Sequence, residues 1–285
     1  MISTATILAC IITLSVSLLL PLLCMLVYGL RNRGQGIWSA WLLGAAGFFV
    51  PQILIRSPIL GALAGNAEFG AFSQLHPWVF GFSLALTAAL FEAAGRLGAA
   101  LLMKKRLTSR RALAAGMGHG GIEAILIIGL TYINNLVYIL LIQTGGFDAL
   151  VSQAAASGAD TSQLLAIRES LQNLPSGMFL LAGYERLMTM ICQAAMSVMV
   201  CYGVHKKRLL PWLLACLGVH TFLDSSACIR NLVGNGLPQT AAYGIIYLLI
   251  TAAAAFCAVV MIRILRSWRA AERERAIPES VFICQ

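Results

Sequence analysis

Three pairs of ionisable residues stand four positions apart in otherwise apolar sequence. "FEAAGR" (91–96) holds Glu92 and Arg96. "GHGGIEA" (118–124) holds His119 and Glu123. "HTFLDSS" (220–226) holds His220 and Asp224. A spacing of four puts both members of a pair on one helix face. Carboxylates and imidazoles of this kind can activate water. A glutamate can act as general base while a histidine stabilises an oxyanion. Histidine with Asp or Glu also suits zinc or another divalent metal, which takes three protein ligands and acidifies a bound water. Charge sharpens the choice. Glu92, Glu123 and Asp224 are three negative charges when ionised, and Arg96 returns one. The rest needs protonated carboxyls, a protonated His119 or His220, or a divalent cation.

Ionisable groups at membrane depth are costly and mark functional sites when they face a bundle interior. Their depth follows from counting to the nearest basic loop. Glu92 lies 12 residues before Lys104, Glu123 lies 12 after Arg111, and His220 lies 12 after Arg208. A helix rise of 1.5 Å per residue puts all three about 18 Å from that membrane edge, near the midplane. Gln193, 13 residues before Lys206, joins the layer. Glu92 is therefore the candidate general base and Arg96 its charge partner. Glu123 and His220 are candidate metal or oxyanion groups. Asp224 ligates or orients His220, and His119 is a spare ligand. Glu185 and Arg186 add a further pair, Glu185 nearer the outer surface and Arg186 pairing locally.

The elements that must hold these groups are membrane helices. Of 285 residues, 59% are hydrophobic and 11% charged, whereas soluble domains run near 25% charged. Apolar runs of about 20 residues recur, the length that crosses the bilayer as a helix. The predicted class is an all-α polytopic bundle of seven spans: 3–29, 37–55, 78–102, 112–134, 178–203, 209–228 and 239–265. It forms a single transmembrane domain over 1–285 with a motif-bearing core at 80–230. Residues 30–36, 103–111, 204–208 and the segment after 262 hold 15 of the 20 Lys and Arg residues. The N-terminus is then outside and the 266–285 tail cytoplasmic. The net charge of +9 is topological and not a nucleic-acid footprint. Arg56, Arg168 and Arg230 fall on the other side.

The first span lacks the basic start of a cleavable signal. The outer loop 144–177 carries a short amphipathic helix at 160–175, with Asp160 as cap and Pro175 as stop. The eight cysteines, without a Cys-x-x-Cys pair, read as small apolar fillers. Gly116, Gly118, Gly120 and Gly121 cost about 1 kcal/mol each in a helix interior. Gly116-x-x-x-Gly120 is a small-residue packing face. Gly116, Gly118 and Gly121 also spell G-x-G-x-x-G, but no strand precedes them, so a dinucleotide site is excluded. There is no H-E-x-x-H. Ser225 and Ser226 have no nucleophile elbow, and serines in membrane helices bond their own backbone.

In order, spacing and placement, "FEAAGR", "GMGHGGIEA" and "HTFLDS" resemble the YhfC family of intramembrane metalloproteases. That family is grouped with PrsW-type proteases and CAAX prenyl endopeptidases. The resemblance covers roughly residues 80–230. It aligns Glu92 and Arg96 with the clan's first motif, Glu123 with the acidic form of the second, and His220 and Asp224 with the third. His119 takes a place often held by Phe. The chain departs from the clan at one point. Glu92 stands between Phe91 and Ala93, where paired glutamates are usual.

The resemblance implies a multi-pass protein of a bacterial plasma membrane. It would hydrolyse a peptide bond of a membrane-embedded or membrane-adjacent substrate through metal- or glutamate-activated water. Two rivals remain at the level of sequence. Midplane carboxylates and histidines also serve ion-coupled carriers, and loss of the second glutamate suits an inactive interaction protein of the same fold.

Overall fold

The computed structural model describes residues 2–233 and 236–276. The described residues are helical, apart from turns and a β-bridge between Val233 and Leu237. Seven helices among them are long and apolar enough to cross a membrane. They are span 1 (Thr4–Arg31), span 2 (Ile37–Ala64), span 3 (Pro77–Leu102), span 4 (Ser109–Thr144), span 5 (Ser176–His205), span 6 (Leu209–Leu232) and span 7 (Gln239–Arg275). The chain is a multi-pass integral membrane protein. Several helices outrun their apolar runs. Span 2 continues past Arg56 to Ala64, because Pro58 sits in the first turn of the next stretch, where its missing N–H costs nothing. Span 4 runs ten residues past 134 and ends at Gly145, whose φ of 78° only a glycine adopts readily.

Three of the long helices contain a widened π turn, at Ser15–Leu19, Phe49–Arg56 and Ile125–Gly129. Pro21 follows the first and Pro51 lies in the second. Proline removes a backbone donor and clashes with the preceding turn, and a π turn absorbs that mismatch.

The chain groups into two compact units. The first comprises Met1–Leu23 and Glu123–Leu187. Its core includes Ala9, Cys10, Tyr132, Ile139, Leu171 and Phe179. The carbonyl of Phe179 accepts from both Thr13 Oγ1 (2.7 Å) and Tyr132 Oη (3.0 Å), which pins three helices at one point. Helices Gly146–Ala156 and Ser162–Asn173 lie between spans 4 and 5. Asp160 Oδ1 accepts from the Ser162 amide at 2.8 Å. Those hydrogen bonds favour the ionised form and hold the exposed Asp160 carboxyl below its ordinary range.

The second unit comprises Cys24–Ile122 and Met188–Gln285. Residues 192–201 of span 5 are buried without interruption, so that stretch is enclosed on all sides. Small residues let the other spans close in. Gly44 faces the Ala115 backbone, and Gly47 faces Gly95. Gly116 meets Ala194, Gly118 meets the Trp41 carbonyl, and Gly120 meets Gln193 and Met190. The glycines of the "GMGHGG" run are thus contact points for spans 2 and 5. The seven described cysteines are free thiols and six are buried. Cys284 and the rest of the tail beyond 276 lie outside the described residues.

A side chain at Gly118 would overlap the Trp41 carbonyl, whereas one at Gly98 would meet nothing within 4 Å. Gly118→Ala should therefore destabilise the protein by about 1–3 kcal/mol. Gly98→Ala should be neutral or stabilising by roughly 0.5–1 kcal/mol. Thermal unfolding in detergent checks this, and equal effects at the two positions would contradict the packing argument.

Candidate functional site

Span 3 brings Glu92 into the second unit on a face made of Ala85, Ala88, Ala89 and Ala93, all buried. These small side chains let spans 2 and 6 pack close enough to exclude lipid from the carboxylate. Glu92 is only 3% exposed. It is not bare, because donors from four helices converge on its Oε2. Arg96 Nη2 lies at 3.1 Å, His119 Nε2 at 3.0 Å and Gln193 Nε2 at 3.4 Å. His220 Nδ1 is 3.7 Å away. Arg96 Nη2 also donates to Gln193 Oε1. The ring of His119 stands edge-on to Phe48, with centroids 5.5 Å apart.

Two features fix the protonation pattern. His119 Nδ1 has no hydrogen-bond partner among the described residues. Its proton therefore belongs on Nε2, where it serves Glu92. On the other side, His220 Nε2 lies 3.3 Å from Asp224 Oδ2, and the Asp224 side chain is 44% exposed. The groups form a line: His119, Glu92, His220, Asp224. It runs from a fully buried imidazole to a carboxylate in contact with solvent.

That carboxylate lines a cavity of about 540 Å³ in the second unit, whose wall is largely apolar, with Phe80 and Leu84, and carries the polar groups of Gln52, Arg56, Arg230 and Asn231. The sequence had suggested that Arg56 lies in an outer loop. It is half-buried on the π turn of span 2, with Nη2 donating to the Leu84 carbonyl at 2.7 Å and Nε facing Thr87 Oγ1 at 3.4 Å. The signal available was a cation five residues after Pro51, with no acidic residue nearby in sequence.

Glu92, Arg96, His119, Gln193, His220 and Asp224 are thus brought together in one unit. Glu123 belongs to the other unit. Its Oε1 accepts from Arg186 Nη1 at 3.0 Å, and Arg186 Nη2 reaches Glu185 at 2.9 Å. Arg186 does pair locally, and Glu123 is one of its partners. Ser226 Oγ donates to the Leu223 carbonyl at 2.6 Å, as a serine in a membrane helix does. His76 and His205 pack on aromatic rings, Phe72 and Trp268.

A family profile described as YhfC intramembrane metalloprotease matches residues 16–246. The chain belongs to this family. It is similar to the uncharacterised membrane protein YhfC of Bacillus subtilis, with 32% identity over 216 residues, covering 75% of this chain and 81% of that one. No solved structure matches it. The family description implies a metal, so the donor set bears testing against one. His119, His220 and Glu92 are suitable ligand types. Their arrangement is not a cage, because both imidazoles approach one oxygen that the Arg96 guanidinium also holds. Among the described residues, no three His, Cys, Asp or Glu are grouped to hold an ion. The residues as placed do not fit a metal.

Removing one partner from a buried ion pair leaves the other charge uncompensated, at a cost of about 3–5 kcal/mol. Arg96→Ala and Glu92→Gln should each lose about that much, since either change leaves one buried charge without its partner. Thermal midpoints of both variants in detergent test this, and a tolerated Arg96→Ala would show that the guanidinium does not balance Glu92.

Proposed function

We propose that the protein is an intramembrane endopeptidase in which Glu92 activates water. The observation that carries the reading is the convergence of Arg96, His119, Gln193 and His220 on Glu92 Oε2 in a buried site. Glu92 takes a proton from water as its oxygen attacks a peptide carbonyl. The Arg96 guanidinium, whose Nε and Nη1 have no partner among the described residues, stabilises the oxyanion of the tetrahedral intermediate, and His119 Nε2–H holds Glu92 in place. The carboxyl of Glu92 then passes its proton to the departing amine as the C–N bond breaks. His220 stands between Glu92 and Asp224, so it can pass protons between the core and the cavity while Asp224 fixes its orientation. Glu123 enters as a charge-paired residue that orders Arg186. The basic loops orient the chain with its C-terminus in the cytoplasm, which opens the cavity to the outer side.

Water activation falls to the carboxylate in this reading and no step passes through a metal. Glu92→Gln should remove cleavage by about 100-fold or more, the scale of general-base catalysis, when assayed below the unfolding midpoint of the variant. Used as a trap, the same variant recovers the substrate. Cleavage that survives in Glu92→Gln would move the base elsewhere. Metal analysis of the purified protein provides a separate arm. A stoichiometric ion that disappears in His220→Ala would transfer water activation to that ion.

The line from Asp224 through His220 to Glu92 also suits a proton relay in a carrier. Electrogenic flux in proteoliposomes, lost in His220→Ala, would favour that second reading over hydrolysis.

A further inference from the structure

The cavity beside Asp224 holds two guanidiniums that make no ion pair among the described residues. Arg56 sits on a membrane span, half-buried, where an unpaired cation is costly. Neither Arg56 nor Arg230 has an acidic partner within ion-pair distance among the described residues. The one carboxylate on the cavity wall, Asp224, is engaged by His220. Arg56 feels the Asp224 and Glu92 carboxylates only at longer range, and Arg230 is exposed, so neither guanidinium has a carboxylate in contact.

Arg56 is also held in place. Its bonds to Leu84 and Thr87 use Nη2 and Nε and leave Nη1 without a partner among the described residues. Arg230 is steadied by Nε donating to the Ala227 carbonyl at 3.4 Å. The π turn of span 2 and the 3-10 turn Ser226–Leu232 bring the two into the same cavity. Gln52 and Asn231 add amides to the lining. A planar, pre-positioned guanidinium is the group that best recognises a carboxylate. The volume, about 540 Å³, is within the usual range of roughly 300–1,000 Å³ for ligand pockets.

We propose that this cavity is a carboxylate-binding subsite, with Arg56 the principal contact and Arg230 the second. A peptide carrying a carboxylate would be anchored beside Asp224, which lies 3.3 Å from His220. The carboxylate can be a peptide C-terminus or an acidic side chain. Only the choice of a peptide as its carrier rests on the endopeptidase reading; the call for an anion stands on the held Arg56 guanidinium, which has no carboxylate in contact, with Arg230 beside it.

The test measures binding, not cleavage, with full-length protein in nanodiscs. Three apolar pentapeptide probes are compared: a free C-terminal acid, its C-terminal amide, and that amide with one internal Asp. In the wild type, one of the two acidic probes should bind about tenfold or more tightly than the plain amide, as a charge-assisted hydrogen bond allows. Whichever it is identifies the source of the carboxylate. The preference should vanish in Arg56→Gln, fall in Arg230→Gln, and persist in Glu92→Gln. Arg56→Lys should restore part of it, because charge returns without the fork. Equal affinity for all three probes would overturn the proposal. So would displacement of the acidic probe by glycerol phosphate at lower concentration than by acetate, which would assign the cavity to a lipid headgroup. If the acid preference holds but no peptide is cleaved, the endopeptidase reading fails and the subsite stands. If cleavage occurs without the preference, the subsite alone fails.

Discussion

A carboxylate placed where lipid excludes water must be surrounded by donors or it will not stay charged. Glu92 sets that condition for the second unit. One of its oxygens draws Arg96 from its own helix, His119 from span 4, Gln193 from span 5 and His220 from span 6. Three helices must then reach within hydrogen-bond range of one atom, and a fourth must come within 3.7 Å of it. Bulky side chains at the crossings would hold them apart, so alanines line span 3 and glycines punctuate spans 2 and 4. The weak helix propensity of the glycines is the cost of the electrostatic requirement.

The same requirement explains how much could be read from the sequence. Helices were legible because their hydropathy is continuous, and Glu92, Arg96, His220 and Asp224 because each pair lies on one face at a matched depth. Span ends were less legible. Arg56 breaks the apolar run, yet a helix can carry a cation onward if backbone and hydroxyl acceptors receive it, as Leu84 and Thr87 do. Span 4 shows the limit of face arguments. His119 and Glu123 share a face, but one turn is about 6 Å of rise. That is enough for His119 to meet Glu92 while Glu123 meets Arg186. Periodicity gives direction around a helix and does not choose between adjacent layers.

The single glutamate of the first motif also takes on a physical meaning. Ala93 follows Glu92 and is itself buried at 3% exposure. A second carboxylate there would need its own set of donors in a core already committed to the first. His119 and Gln193 fill the hydrogen-bonding capacity around Glu92 Oε2. The chain has thus settled on one charged oxygen with several neutral or cationic neighbours.

Gly47 against Gly95, Gly44 against Ala115 and Gly118 against Trp41 are contacts of backbone on backbone. Seams of that kind have no side chains to swing aside. They behave as welds, not doors. A polypeptide diffusing in the plane of the bilayer could not part spans 2, 3 and 4 without pulling whole helices away from each other. The glycines therefore act as walls that hold spans 2, 3 and 4 at a fixed separation beside Glu92.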